Sequence, residues 1–493
     1  MAACQPWLEA SGIHAMRRNP SRYECAARGG RSYGLVLLLY LATLLADPVR
    51  KLATLPTATT GVVFALVGVI YVFLLPGVMS RARPTPPSLP VWLALLSLWC
   101  GIETVVERIP VGMALLGWFS YVFFVPLFYV GADLMASDRH CAKALRVVVI
   151  SGGLVGLGAV ASALLGQSAP AVLQPMVPSA GIHTFNTETV YLAPSVFATA
   201  EEASEHLLIA FFAWVALAQL PSGRMRRVPS AVFGAIIIVG LLATARRADL
   251  YVAVAGMVGM ALLTFTAHTG SKHPRVSRSD RAHGRLASSL ILAAAASIAF
   301  LAVLGASRLM PFLTSGQGGG AVLKLMFSPA HPTALTGQGP GTSTQGASVL
   351  GATSFHGVSS QGLYTAYSLN GRTFLTTEGG LTKAWLELGV MGVVLYGGVF
   401  ASTLVPAIRR LGRLDPTGRA LVALTIALGA IFLKGHQSLD NPLVQPLFWL
   451  VLGGGWGRMR ASADARQADA ETTPRSAPAA NSAPAPALQT HPG

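Results

Sequence analysis

The sequence predicts an all-α polytopic membrane protein of about twelve transmembrane helices, with a long outer loop before the tenth. Three observations predict it. The 493-residue chain is 52% hydrophobic and only 11% charged, where a soluble protein carries about 25% charged residues. Its apolar runs repeatedly reach or approach the roughly 17–25 residues that span a bilayer. Its basic residues also fall in alternate connecting segments. The net charge of +16 is therefore read as cytoplasmic loops facing anionic lipid, not as a nucleic-acid surface.

The apolar runs fall at 34–48, 60–78, 88–104, 110–130, 147–165, 204–220, 230–245, 249–267, 286–304, 384–407, 420–434 and 442–457. Those near 34, 230 and 420 are short and extend by about one turn at each end. With the N-terminus inside, the cytoplasmic segments are 1–33, 79–87, 131–146, 221–229, 268–285, 408–419 and 458–493, and they hold 26 of the 36 Lys and Arg. The two long outer loops, 166–203 and 305–383, hold four. That asymmetry sets the orientation. Residues 1–33 form a polar, basic cytoplasmic tail (Arg17, Arg18, Arg22, Arg28, Arg31). No small-residue cleavage site follows, so the first span is kept as an anchor. Residues 34–457 form the transmembrane domain. Residues 458–493, rich in Ala, Pro, Ser and Thr, form a disordered cytoplasmic tail. Cys4, Cys25 and Cys141 fall inside and Cys100 within a span, with neither metal-ligand spacing nor a disulfide framework.

The outer loops carry the candidate chemistry. Loop 166–203 ends in Glu201, Glu202, Glu205 and His206 at the mouth of the sixth helix. Thr199 or Ser204 can cap that helix, whose first turn favours acids. Only Ala245-Arg246-Arg247-Ala248-Asp249 joins the seventh and eighth runs. Charge at such a boundary lines a polar cavity, snorkels to headgroups or pairs with an acid, here Asp249. Loop 305–383 reads SGQGGG, TGQGPGTSTQG and SFHGVSSQG, and includes His331 and His356. Loops this long are usually functional or disordered. Backbone N–H groups of its glycines could approach a phosphate, although no P-loop pattern is present. The stretch Arg372–Gly392 closes this loop with Arg372, Glu378, Lys383 and Glu387. Lys383 and Glu387 stand i,i+4 with the base first, the less favourable order. Gly389 and Gly392 let helices approach closely. The last hairpin carries Lys434, His436, Asp440 and Asn441, and Asp440-Asn441-Pro442 makes a good helix start.

A boundary arginine between two adjoining helices is thus followed, after a long outer loop, by Glu387-x-Gly389-x-x-Gly392. In this order and topology, roughly Val190 to Leu450 resembles the O-antigen ligase/polymerase family, with its Wzy-type polymerases. The resemblance implies a metal-independent, cofactor-free glycosyltransferase of the bacterial inner membrane, with periplasmic loops and cytoplasmic termini. Its members move glycan from an undecaprenyl-pyrophosphate carrier to an acceptor sugar hydroxyl. Arg247 matches the family arginine, with Arg246 replacing the serine of S-R-G. Where the family has a histidine nine residues before the glutamate, this chain has Glu378. That departure leaves the base open between Glu378 and His356 and favours polymerase over ligase.

Glu378 and Arg247 are the implied catalytic residues. Arg246, Arg372, His356, Glu202 and His436 are candidates to contact pyrophosphate or sugar. Implied partners are the lipid-linked oligosaccharide, membrane lipid, a chain-length regulator and a flippase, with no nucleic acid. The alternatives are ligase-type transfer to another acceptor, a transporter or flippase of lipid-linked sugar, and a receptor-like or structural membrane protein.

Overall fold

The computed structural model describes residues 20–53, 58–81, 86, 88–175, 182–185, 188–220, 227–246, 249–250, 253–254, 336–343, 355–358, 364–369, 372–377, 380–409, 416–434 and 444–472. Helix α1 (Pro20–Ala53) starts well before the first apolar run. Proline at the first helical position needs no N–H partner there, and residues 20–33 of the expected N-terminal tail are helical. The second run divides into α2 (Ala58–Phe73) and α3 (Leu75–Arg81). α4 (Leu89–Val106) opens with a proline in its first turn. The fourth run contains α5 (Val111–Trp118), a π-helical turn over Phe119–Phe123, and α6 (Leu127–Ala136) after Pro126.

Only Ser137 separates α6 from α7 (Asp138–Leu165). Most of the segment expected as a cytoplasmic loop at 131–146 is therefore helical. Thr199 caps α8 (Ala200–Gln219), its hydroxyl accepting the Glu202 N–H at 3.3 Å. α9 (Arg227–Ala243) follows. The expected spans 249–267 and 286–304 lie outside the described residues, apart from 249–250 and 253–254. α10 (Gly380–Arg409) and α11 (Pro416–Lys434) match their apolar runs. α12 (Gln445–Thr472) continues past 457 into the expected disordered tail, because ASADARQADA is rich in good helix formers.

Four stretches among the described residues are helical, long and apolar enough to cross a membrane: Leu89–Val106, Val111–Ala136, Asp138–Ser168 and Lys383–Arg409. Shorter apolar helices cover Gly61–Phe73, Pro229–Ala243 and Thr417–Ile426. Large apolar side chains such as Leu98, Val105, Leu154 and Val394 face outward on these helices, forming a surface suited to lipid contact. Two small antiparallel sheets supplement the helical architecture. One pairs β1 (Ile182–Phe185) with β2 (Glu188–Tyr191). The other has the order β3 (Phe355–Val358), β4 (Tyr364–Leu369), β5 (Arg372–Thr377).

Glycines set the closest helix seams. A methyl group on Gly453 would lie 1.9 Å from the Phe128 carbonyl oxygen, and one on Gly457 2.0 Å from that of Ala132. The two contacts advance together, so α6 and α12 run parallel with backbones touching. Gly156 meets Gly240 in the same way, bringing α7 against α9. Arg458 of α12 pairs with Asp138 at the start of α7.

Candidate functional site

Two buried polar groups interrupt the apolar bundle. The first forms where α1 ends and α8 begins. Asp47, fully buried, accepts the Ala198 N–H at 2.9 Å and the Arg50 guanidinium at 3.1 Å. The same Ala198 N–H approaches Glu202 Oε2 at 3.1 Å. Lys51 donates to the carbonyls of Val172 (3.1 Å) and Ser195 (3.4 Å). It thereby ties the segments flanking β1 and β2 to the end of α1.

Glu202 and Lys51 both lie outside the apolar runs, and their surroundings move them in opposite directions. Burial raises the Glu202 carboxyl well above its ordinary range, reinforced by the negative charge of Asp47 and by a hydrogen bond to it. Burial lowers the Lys51 ammonium to about 8, against the opposing pull of Asp47 and Glu202. A carboxyl that keeps its proton in a hydrogen bond to a second acid is placed to share that proton with it.

Arg246 joins this group from the end of α9, pairing with Glu201 at 2.5 Å. The turn before it is strained, since Ala245 has φ +56°, a region costly for a residue with a Cβ. Arg246 holds Glu201, while Asp249 receives the Ser204 hydroxyl. Deeper between α1, α7 and α8, the Tyr40 hydroxyl contacts Ser151 and the His206 Nε2 (3.3 Å).

The second group centres on Glu387. α10 is broken at Gly389, whose φ of 62° and ψ of −167° suit only glycine. The break leaves carbonyls without helical donors, and other segments supply them. The Gln338 N–H donates to Leu386 O at 2.7 Å, the Gly339 N–H to Glu387 O at 2.9 Å, and Trp99 Nε1 to Leu388 O at 2.9 Å. The Glu387 side chain is fully buried. It accepts the Gly341 N–H at 3.0 Å, the Ser343 N–H at 2.7 Å and the Tyr121 hydroxyl at 3.0 Å. Tyr121 is aimed from the π turn, a feature often found at functional positions.

Glu103 of α4 accepts the Gly337 N–H at 3.3 Å, and Lys383 stands 5.2 Å over the Tyr121 ring. Residues 336–343 of the long glycine-rich loop are thus docked into the helices. The Gly341 N–H, one of the glycine N–H groups that could approach a phosphate, and the Ser343 N–H instead hold a carboxyl side chain. Glycine is required for this approach: a methyl on Gly337 would lie 2.0 Å from Glu387 O, and Gly341 has φ +84°.

Of the expected site residues, the structure brings Arg246 and Glu202 into the first group. His356 stands on β3 opposite Ala366, and Arg372 on β5 opposite Leu369, so they occupy the two edge strands of one sheet. Arg247, Glu378, His436 and His331 lie outside the described residues. Asp47, Lys51, Glu103 and Tyr121 were not singled out from sequence. Asp47 carried a signal, an acid at the end of an apolar run, which is expensive unless partnered. Tyr121 carried none, because its role depends on a π turn and a remote glutamate. Among the described residues no cluster of three or more His, Cys, Asp or Glu is placed to hold a metal ion. No protein-family model matches the chain, and no curated protein matches it.

Proposed function

We propose that the chain is a membrane-bound glycosyltransferase that lengthens a surface polysaccharide or exopolysaccharide. It takes glycan from undecaprenyl-pyrophosphate-linked repeat units at the outer face of the bacterial inner membrane. The observation that carries this reading is the convergence of Asp47, Lys51, Glu201, Glu202 and Arg246 at the meeting ends of α1, α8 and α9. The departing group in such a transfer is a diphosphate at headgroup depth. A boundary arginine suits it because the planar guanidinium stays charged and pairs with phosphate oxygens. The attacking hydroxyl must lose a proton, and a carboxyl whose proton affinity is raised above the ordinary carboxylate range suits that task.

In this reading Arg246 and Arg247 neutralise the diphosphate and Glu378 is the base, with Arg372, His356, Glu202 and His436 near the sugar. Glu202 and Asp47 are the described carboxyl pair able to move a proton at that end. The docked segment 336–343 anchors a point within the loop 305–383, which also bears His356, Arg372 and Glu378.

A transporter or flippase of lipid-linked sugar is the second reading. The buried Tyr40, Ser151 and His206 favour it, because they carry polarity inward from the charged end. One experiment separates the two. Purified protein in liposomes is given undecaprenyl-pyrophosphate oligosaccharide, and products are sized on a gel. Chain growth lost in R246A, R247A and E378Q, with folding retained, supports the transferase. Carrier crossing the bilayer without new glycosidic bonds refutes it in favour of the transporter.

A further inference from the structure

The middle of α1 borders a cavity that the transferase reading does not use. It lies between α1, α6, α7, α8 and α12 and is open on one side. Its walls are apolar, formed by residues such as Leu37, Leu134, Val147, Ile209 and Leu450, with only the tyrosines Tyr33 and Tyr40 carrying polar side-chain atoms. Water finds few partners on such walls. Tyr40 lies seven residues beyond Tyr33 on α1, about 10 Å along the axis, and its hydroxyl is engaged by Ser151 and His206. Tyr33, Leu37, Ala144, Val147 and Val148 are only half-buried, so the cavity reaches the surface on that side.

The Tyr33 mouth is basic. His140 stacks on the Tyr33 ring at 6.2 Å, and the Lys143 ammonium stands 5.8 Å over it. Arg139 and Lys143 are exposed on the first turns of α7. The neighbouring acids are Asp133 and Asp138, and Asp138 is already bound by Arg458. An apolar slot long enough for several methylenes, rimmed by cations and an aromatic ring, matches one ligand in both shape and charge.

We propose that this cavity holds an acyl chain of an anionic phospholipid, whose phosphate lies against Arg139, Lys143 and His140. On the orientation set by the basic loops, this mouth faces the cytoplasmic leaflet, where such lipids attract basic residues beside transmembrane helices. The inference requires the helices to cross a bilayer and does not require the transferase.

The test uses the full chain purified in detergent and titrated, by native mass spectrometry, with phosphatidylglycerol or phosphatidylcholine of identical chains. One phosphatidylglycerol is expected to be retained about tenfold more tightly than phosphatidylcholine. The R139E/K143E double variant removes that preference, and A144F, which fills the slot, removes retention. Phosphatidylglycerol carrying a photoreactive group at the end of one chain is expected to cross-link to the Leu447–Val451 segment. Equal retention of the two lipids, or cross-links only on the outward surface of the bundle, overturns the proposal. The mouth variant changes exposed side chains, so it and the cross-link position remain decisive if A144F does not fold.

Discussion

Replacing Glu387 tests whether one side chain holds the glycine-rich segment in the bundle. Its carboxyl accepts three hydrogen bonds, from Gly341, Ser343 and Tyr121, and hydrogen bonds to a charged group are worth about 1.5–3 kcal/mol each. Glu387→Gln keeps one acceptor oxygen and turns an amide toward a donor, so opening of the segment should become easier by about 2 kcal/mol. Glu387→Ala leaves all three donors buried without it and should cost about 4 kcal/mol. Tyr121→Phe removes one donor and should cost about 1.5 kcal/mol.

At 1.4 kcal/mol per decade, deuterium uptake by a peptide covering 336–343 should rise about tenfold in Tyr121→Phe, about thirtyfold in Glu387→Gln and about a thousandfold in Glu387→Ala. Gly337→Ala should give the same phenotype from the other side, since its methyl would meet the Glu387 carbonyl oxygen at 2.0 Å. Unchanged protection of 336–343 in Glu387→Gln and Glu387→Ala, with the remaining helices equally protected, would refute the reasoning.

Three further outcomes are expected. Ala245→Gly relieves the left-handed backbone at φ +56° and should stabilise the protein by about 1 kcal/mol, read as a higher melting temperature in detergent. Gly457→Ala drives a methyl to within 2.0 Å of the Ala132 carbonyl oxygen; overpacking of this kind costs about 1–3 kcal/mol, which the same assay detects as a lower one. The Glu202 carboxyl is raised in the folded chain, whereas unfolded glutamate titrates near about 4.3. Between those values the folded state alone keeps the proton. The Glu202 contribution is therefore complete below the unfolded value and is lost as pH rises through the folded one. The melting temperature should accordingly decline with rising pH across that window, with a shallower slope in Glu202→Gln.

The apolar runs located most helices because their positions depend on composition alone. They missed both ends of the described fold, at Pro20 and Thr472, where polar sequence is helical. They also missed the break at Gly389. In sequence, Gly389 and Gly392 read as places for helices to touch. The break is visible only when the 336–343 segment takes the carbonyls that the helix leaves open. The candidate site divides in the same way. Thr199 as a cap and Arg246 at a boundary could be read locally. The Asp47–Glu202 contact joins residues far apart in the chain, and Tyr121 meets Glu387 across a still longer separation. No local pattern encodes such pairs.

The parallel glycine seam between α6 and α12 has a consequence for biogenesis. The ribosome completes α6 long before it begins α12, yet Phe128 and Ala132 form their backbone contacts with Gly453 and Gly457. Until synthesis nears its end, this face of α6 must wait without its native neighbour, covered by lipid or by an insertion factor. Chains stopped before Gln445 would keep that face uncovered, and membrane quality control could recognise them by it.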